Sequence, residues 1–151
     1  MIRKATKEDA SRLAQIQIYA KRYSYRSIFQ NDEVSFNEMQ VLKRARCYQD
    51  HPDSIDNIYG CDDGIVKGMM KWNCESSETW ELKELYVDPF FQREGIGTSL
   101  IKNFTESAKR RNAYEAFLWV LEENSSAISF YEKQGYMNTL TVLPIHTLAS
   151  Q

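Results

Sequence analysis

The sequence predicts an α/β fold of the α+β kind: a mixed, mostly antiparallel central sheet flanked by helices on both faces. Two strand-forming runs, 57–61 and 65–72, are joined by Asp62-Asp63-Gly64, and Asp-Gly is a strong signal for a tight hairpin turn. Residues 97–111 carry apolar side chains at helical spacing, which predicts a helix packed on one face of the sheet. Residues 116–121 are apolar at successive positions, as expected of a strand covered on both sides.

The N-terminal elements follow from local signals. A short strand is predicted at 2–5, and Thr6 is predicted to cap the next helix because Asp9 stands three residues later, as in a capping box. Ser35 is predicted to cap a second helix, in which Leu42 and Tyr48 recur at helical intervals.

The C-terminal half is predicted in the same way. Thr79–Val87 is a third long strand, rich in apolar and aromatic residues. Asn124 or Ser125 is predicted to cap a last helix that ends at Gly135, because polar caps and a terminal glycine bound it. Residues 136–142 are predicted to form the final strand.

Length and composition indicate one domain over residues 1–151, with 42% hydrophobic and 26% charged residues as in ordinary globular proteins. The net charge of −2 provides no basic surface for nucleic acid. Apolar runs fall short of the roughly 20 residues that a membrane span needs, and residues 1–10 show no secretory signal, so we expect a cytoplasmic protein. Three widely spaced cysteines without a C-x-x-C motif predict reduced thiols and no metal site.

Residues 85–98 are the most informative segment of the chain. A strand breaks at Pro89, a polar turn follows, and a helix begins at the paired glycines Gly95 and Gly97. Glycine permits positive φ and close approach of a ligand to the backbone, and the N–H groups of a helix start favour anions. The segment therefore predicts a phosphate site, although the same glycines also fit an ordinary turn. A P-loop and a Rossmann fingerprint are excluded, since neither Gly-Lys-Ser/Thr nor a third glycine follows.

Two motifs resemble those of the GCN5-related N-acetyltransferase (GNAT) superfamily. Gln92-Arg93-Glu94-Gly95-Ile96-Gly97 resembles the acyl-CoA loop of that family, Gln/Arg-x-x-Gly-x-Gly/Ala. Residues 124–136 resemble its Asn-x-x-Ala-x-x-Phe-Tyr-x-x-x-Gly-Phe/Tyr signature, in the same order and at the same separation. The resemblance implies an N-acetyltransferase that transfers the acetyl group of acetyl-CoA directly to a primary amine in a ternary complex, without a metal.

The resemblance also implies which residues meet acetyl-CoA. The loop would hold the pyrophosphate, the preceding strand would pair with the amides of the pantetheine arm, and Asn124 would contact that arm unless it serves only as a helix cap. Tyr131 matches the tyrosine beside the CoA sulfur. Because a phenol (pKa ~10) is a weaker acid than a thiol (~8.5), Tyr131 is expected to stabilise the leaving thiolate at least as much as to protonate it. The implied cofactor-binding residues are Leu85, Tyr86, Val87, Gln92, Arg93, Glu94, Gly95, Ile96, Gly97, Thr98, Asn124 and Tyr131.

Glu81 and Glu84 are the candidate general bases. Glu81 matches a position where several family members carry a catalytic glutamate, and Glu84 follows three residues later. Strand alternation places the two on opposite faces unless a bulge intervenes, so only one is expected to reach the amine. Glu81 is the preferred candidate, and either residue has the alternative of being a solvated strand carboxylate.

The acceptor is expected to be the amine of a small molecule, a peptide or a protein. Tyr23, Tyr25 and Arg26 lie where the family shapes its acceptor pocket, with Arg22 or Arg26 suited to an anionic group; the alternative is a surface helix with a few packed rings. A homodimer is expected by analogy alone.

Two other functions compete with a catalytic acetyltransferase of this kind. A non-catalytic acyl-CoA-binding regulatory module would keep the loop and lose turnover, which the presence of Tyr131 argues against. A toxin that acetylates aminoacyl-tRNA would need a basic surface, which 19 basic against 21 acidic residues disfavour.

Overall fold

A computed structural model of the chain describes residues 1–33, 35–36, 39–74, 76 and 78–141. The chain divides into a first compact unit, Met1–Trp119, and a second that begins at Val120; one domain over 1–151 stays a prediction. The elements of the first unit are β1 (Ile2–Lys4), α1 (Ala10–Phe29), α2 (Val41–Asp50), β2 (Ile58–Asp62), β3 (Val66–Cys74), β4 (Thr79–Val87), α3 (Ile96–Arg110) and β5 (Glu115–Leu118). The second unit contains α4 (Ser125–Lys133).

The five strands form one sheet in the order β1-β2-β3-β4-β5. The first four strands pair antiparallel, and β5 joins β4 in parallel. The hairpin between β2 and β3 turns at Gly64, whose φ of 116° an L side chain rarely adopts. These pairings confirm the predicted fold class.

The two faces of the sheet bury different helices. On one face, α1 and α2 contribute Leu13, Ile16 and Tyr48 to a core that includes Met69 of β3. On the other face, the Phe104 ring of α3 lies 6.3 Å from the ring of Trp80. Helices therefore cover both faces, as predicted.

Gly68 lets the start of α3 approach the sheet closely. A Cβ atom built on Gly68 would lie 2.7 Å from Cγ2 of Ile96 and 3.2 Å from Cδ1 of Leu100. It would also lie 3.1 Å from the carbonyl oxygen of Tyr86, across the ladder. The lack of a side chain at Gly68 thus allows the N-terminus of α3 to pack close to the sheet.

The predicted cap of the second helix is wrong. Ser35 does not cap α2, which begins at Val41 after the extended residue Gln40. Ser35 is itself buried, and its carbonyl accepts a 2.9 Å hydrogen bond from Nε of Arg22. This contact joins Ser35 to α1, and helix-capping preferences, which concern only neighbouring residues, do not predict it.

The predicted strand at 136–142 is absent from the described residues 136–141, and Val142 lies outside them. Oδ1 of Asn138 accepts a 2.9 Å hydrogen bond from the N–H of Leu140, and Leu140 has a φ of 61°. This local turn competes with extended backbone. The predicted strand at 116–121 is shorter than expected, since β5 ends at Leu118.

Within the part of the chain that the structure describes, no helix combines the length and apolar character needed to cross a bilayer.

Gly68→Ala tests the close approach of α3. We expect a loss of about 1–3 kcal/mol in the free energy of unfolding, because the new methyl group meets α3 and the Tyr86 carbonyl at once. Gly60→Ala is the matched control, since its Cβ would meet one side-chain atom of Val66 at 3.0 Å and nothing else nearer than 3.8 Å. Urea unfolding of both variants measures the difference; equal losses would refute the special role of Gly68.

Candidate active site

Asp88 holds the turn at the end of β4. Its side chain is buried, Oδ1 accepts a 2.9 Å hydrogen bond from the N–H of Phe90, and Oδ2 lies 2.8 Å from Nη2 of Arg12. The backbone N–H of Asp88 donates to the carbonyl of Lys67 at 2.9 Å, while Nε of Arg12 donates to the carbonyl of Val66 at 2.8 Å. Asp88 therefore ties the turn to both α1 and β3.

The loop after this turn has the backbone shape that the sequence predicts for an anion site. Arg93 and Gly95 both adopt left-handed conformations, with φ of 66° and 77°. Gly95 is the N-cap of α3, and the N–H of Ser99 donates to the Gly95 carbonyl at 3.0 Å. The N–H groups of Ile96, Gly97 and Thr98 precede that bond, so helix geometry gives them no partner four residues back. Residues 92–95 are exposed, so these donors stand behind an open loop.

Space is not what makes glycine necessary at position 95. A Cβ atom built there would meet nothing within 4 Å, whereas the φ of 77° is costly for a side-chain-bearing residue. Gly95 is thus required for conformation, and Gly68 for close packing.

Lys67 offsets the one acidic side chain of the loop. Its Nζ lies 3.4 Å from Oε1 of Glu94, 3.0 Å from Oδ2 of Asp63 and 4.8 Å from the centroid of the Phe91 ring. Hydrogen bonding to Asp63 and then to Glu94 raises the pKa of Lys67. Because Lys67 is shared between Asp63 and Glu94, it offsets the acidic charge beside the loop only in part, and Arg93 is the further cation of the loop.

The edge of β4 is open beside this loop. The ladder with β5 covers Thr79–Leu82 of β4, whereas the ladder with β3 continues to Val87. Among the described residues, 84–87 therefore pair on one side only, and these include the predicted contact residues Leu85, Tyr86 and Val87.

A β-bulge brings the two candidate glutamates to one face. Glu81 pairs with Asn73, and Glu84 pairs with Lys71, although the glutamates are three positions apart and their partners are two positions apart. Lys83 is the extra residue. Since residues two apart on β3 share a face, Glu81 and Glu84 share it too, and the bulge that the sequence leaves open is present.

The two carboxylates have different surroundings. Oε2 of Glu81 lies 2.6 Å from Nζ of Lys83, and the Glu81 side chain is 9% exposed. Oε2 of Glu84 is buried and has no hydrogen-bond partner among the residues that the structure describes. A buried carboxylate oxygen without a donor is uncommon and marks a site where a ligand can supply one.

Glu84 lies among cations and phenols from both helices of its face. Burial lowers the pKa of Lys21 on α1, and the charge of Glu84 opposes that effect. Burial, followed by the charge of Glu84, raises the pKa of Tyr25, of Tyr48 and of Tyr86, the last well above its ordinary value. The charge of one carboxylate thus acts on residues from α1, α2 and β4.

Arg44 is held in place on the same face. Its Nε donates to Oε1 of Gln17 at 2.7 Å, and its Nη2 lies 3.3 Å from the Tyr48 hydroxyl. That hydroxyl donates to Gln17 as well, at 2.8 Å. The charge of Glu84 also acts on Arg44.

The predicted acceptor residues separate into two places. Tyr25 stands near Glu84, whereas Tyr23 and Arg26 line a surface pocket of about 570 Å³ at the C-terminal end of α1. Arg26 forms an exposed ion pair with Asp32, with 2.8 Å between Nε and Oδ1. The guanidinium of Arg22 donates to the carbonyls of Ser35 and Met39, at 2.9 and 2.8 Å.

Lys21, Arg44, Arg12 and Asp88 are the residues that sequence reasoning missed. Lys21 and Arg44 lie 63 and 40 positions before Glu84 (84 − 21 and 84 − 44), and no motif marks them. Asp88 stands inside the recognised segment, but its partner Arg12 is on α1.

Asn124 and Tyr131 belong to the second unit. Oδ1 of Asn124 accepts a 3.2 Å hydrogen bond from the N–H of Ala127, so this residue caps α4 as predicted. The Tyr131 ring packs edge-on against Phe130, with 5.0 Å between centroids, and lies 6.2 Å from Tyr136. Their predicted contacts with the cofactor stay predictions.

Several curated relatives resemble parts of the chain. An uncharacterized N-acetyltransferase of Methanocaldococcus jannaschii is 45% identical over 84 residues, which cover 54% of this chain and 37% of that protein. The ribosomal protein bS18 alanine N-acetyltransferase of Escherichia coli is 33% identical over 55 residues, 36% of this chain and 37% of the enzyme. The chain thus spans well under half the length of these relatives.

Solved structures share the fold over nearly the whole chain. The N-acetyltransferase PaiA of Thermoplasma acidophilum, in complex with coenzyme A, superposes with a TM-score of 0.73 at 23% identity, covering 94% of this chain and 92% of that one. Ard1 of Thermoplasma volcanium gives 0.66 at 21% identity, with 92% and 83% covered.

A family profile, that of the acetyltransferase (GNAT) family, matches residues 18–136. The matched region contains β4, the loop at 92–98 and the block at 124–136, which are the segments that carry the resemblance in the sequence. The chain belongs to the acetyltransferase (GNAT) family.

Proposed function

We propose that the chain is an acetyl-CoA-dependent N-acetyltransferase that acts on a primary amine by direct transfer within a ternary complex. The observation that carries the proposal is the order of three structural features between β4 and α3. An open strand edge, a turn held by Asp88 and a left-handed loop at a helix start follow one another within a GNAT-family chain. When bound, acetyl-CoA supplies an activated acetyl thioester.

The loop fits the pyrophosphate of that cosubstrate. Its exposed backbone, the left-handed Gly95 and the free N–H groups of Ile96, Gly97 and Thr98 suit a diphosphate. Arg93 adds positive charge, and Lys67, which is shared with Asp63, offsets part of the charge of Glu94. Gln92 stands at the start of the same exposed loop.

The open edge of β4 fits the pantetheine arm. Peptide groups of residues 85–87 lack a second ladder among the described residues, so amides of an extended ligand have backbone partners there. The side chains of Leu85 and Val87 are half-buried, and burial of side chains leaves the backbone edge available.

Glu84 is the better-placed general base. Its Oε2 is buried and has no donor within the described part of the chain, so an acceptor amine would supply the missing hydrogen bond and later give its proton to that oxygen. Glu81, preferred from sequence, is already ion-paired with Lys83. The proposal therefore assigns Glu84 to the proton and Glu81 to the support of the bulge.

Tyr131 and Asn124 complete the proposed machinery through their match to the family motif. Tyr131 would donate a hydrogen bond to the thiolate that leaves, and Asn124, besides capping α4, would contact the pantetheine arm.

Gly95→Val tests the loop. A β-branched residue at a φ of 77° is a steric outlier, so the turn must change and the helix-start donors will point elsewhere. We expect the Kd for coenzyme A, measured by calorimetry, to rise at least tenfold. Gly64→Val carries a similar backbone conflict in the β2–β3 hairpin, with equally open space around it. Equal affinities of the two variants would refute the loop as the pyrophosphate site.

Glu84→Gln tests the base. The amide keeps the shape and cannot accept the amine proton, so we expect kcat to fall by about 10²–10⁴ while coenzyme A affinity is unchanged. Glu81→Gln is the matched variant on the same strand face, and we expect it to retain most activity. A larger loss in Glu81→Gln would reverse the assignment.

Tyr131→Phe removes one hydroxyl from α4. We expect kcat to fall roughly 10–100-fold with little change in coenzyme A affinity, because a hydrogen bond to the leaving thiolate matters in the transition state and not in binding. Tyr136→Phe is the control, since it removes a hydroxyl from a neighbouring ring of the same unit. Unchanged turnover in Tyr131→Phe would remove the assigned role, and tight cofactor binding by the wild type without turnover on any amine would favour a regulatory module.

A further inference from the structure

We propose that the acceptor is a small zwitterion, an amine that also carries a carboxylate, and that Lys21 binds its anionic end while Glu84 receives its amine. The inference rests on the proposed function and narrows it to a substrate class. It comes from the balance of charges around Glu84, not from the cofactor loop.

Positive charge exceeds negative charge on this face of the described residues. Lys21 from α1 and Arg44 from α2 both interact with the single carboxylate of Glu84. Lys71 is the cross-strand partner of Glu84, and Nζ of Lys71 donates a 3.3 Å hydrogen bond to the carbonyl of Ser54. The other carboxylate of the face, Glu81, is matched by Lys83 at 2.6 Å. Among the described residues, this face thus carries one carboxylate without an ion pair and three cations.

The three cations are not equally available. Arg44 is committed to Gln17 and Tyr48, and Lys71 donates to the carbonyl of Ser54. Among the described residues, Lys21 makes a cation–π contact, with 5.8 Å from Nζ to the centroid of the Tyr86 ring, and forms no hydrogen bond or ion pair. An ammonium has three donors, so Lys21 retains the capacity to bind an anion.

Burial makes an anion at Lys21 favourable. The side chain is half-buried beside Tyr86, and burial weighs against its charged form more than Glu84 favours it. A ligand carboxylate would replace the lost hydration of the ammonium and would balance the excess positive charge.

The same balance selects between classes of amine. A polyamine would bring a second positive charge to a face that already has too many. An amine with a neighbouring carboxylate presents a donor to Oε2 of Glu84 and an acceptor to Lys21, so it satisfies both orphan groups at once.

The test is a comparison of matched acceptors with the full chain and acetyl-CoA. L-amino acids, their carboxamides and spermidine are assayed for coenzyme A release across the panel. We expect kcat/KM for at least one amino acid to exceed that for its carboxamide more than tenfold, and spermidine to be poor. Lys21→Met should remove the preference by raising KM for the acid, with kcat and the carboxamide little changed, and Lys21→Arg should restore part of it.

Lys102→Met, which removes an exposed lysine from α3, is the control and should leave the preference intact. If Lys21→Met fails to fold, the ratio of acid to carboxamide in the wild type and in Lys21→Arg decides. Equal use of acid and carboxamide, or preference for spermidine, overturns the inference and leaves the proposed function standing. Absence of acetylation for every amine, with or without coenzyme A binding, overturns the proposed function and the inference with it.

Discussion

One extra residue in β4 determines what the face beneath α1 and α2 contains. Without the bulge at Lys83, strand alternation would turn either Glu81 or Glu84 toward α3, into the apolar layer of Trp80 and Phe104. An ionised carboxylate there would be desolvated without a partner, which is strongly unfavourable. The bulge instead places both carboxylates on the face beneath α1 and α2, and it lets Lys83 pair with Glu81. The difference between the two glutamates is thus a consequence of register.

Helix α1 contacts both the turn before the cofactor loop and the surroundings of Glu84. Arg12 and Lys21 both project from α1, and Arg12 forms the ion pair with buried Asp88 that fixes the turn after β4. Removal of Arg12 would leave the buried Asp88 carboxylate without its charge partner, so this contact constrains the turn. Gly68 sets the distance of α3 from the same strand end. The helix that carries the acceptor-side lysine therefore also positions the turn that leads into the cofactor loop.

Local signals predicted the elements that local physics determines. The bounds of β4, Thr79–Val87, and the left-handed Gly95 at the start of α3 follow from strand composition and glycine spacing. Whether β4 contains a bulge could not be predicted from the sequence, because the bulge depends on how β4 pairs with β3. Lys21 and Arg44 carry no motif, since they meet Glu84 only after two helices have packed. The prediction that Ser35 caps a helix was wrong for the same reason, because Arg22 of α1 donates a hydrogen bond to the Ser35 carbonyl.

In the proposed reaction, the surplus of cations affects the amine as well as the anion. An amine with a pKa near 10.4 loses its proton at pH 7.5 at a cost of about 4 kcal/mol, whereas a peptide α-amine near 8 costs under about 1 kcal/mol. Arg44 and Lys71 disfavour a further ammonium beside them and so lower the pKa of a bound amine. Glu84 need not then be a strong base, because it has only to accept the proton released as the new N–C bond forms. The positive field that attracts the carboxylate of an acceptor also favours the neutral, nucleophilic form of its amine.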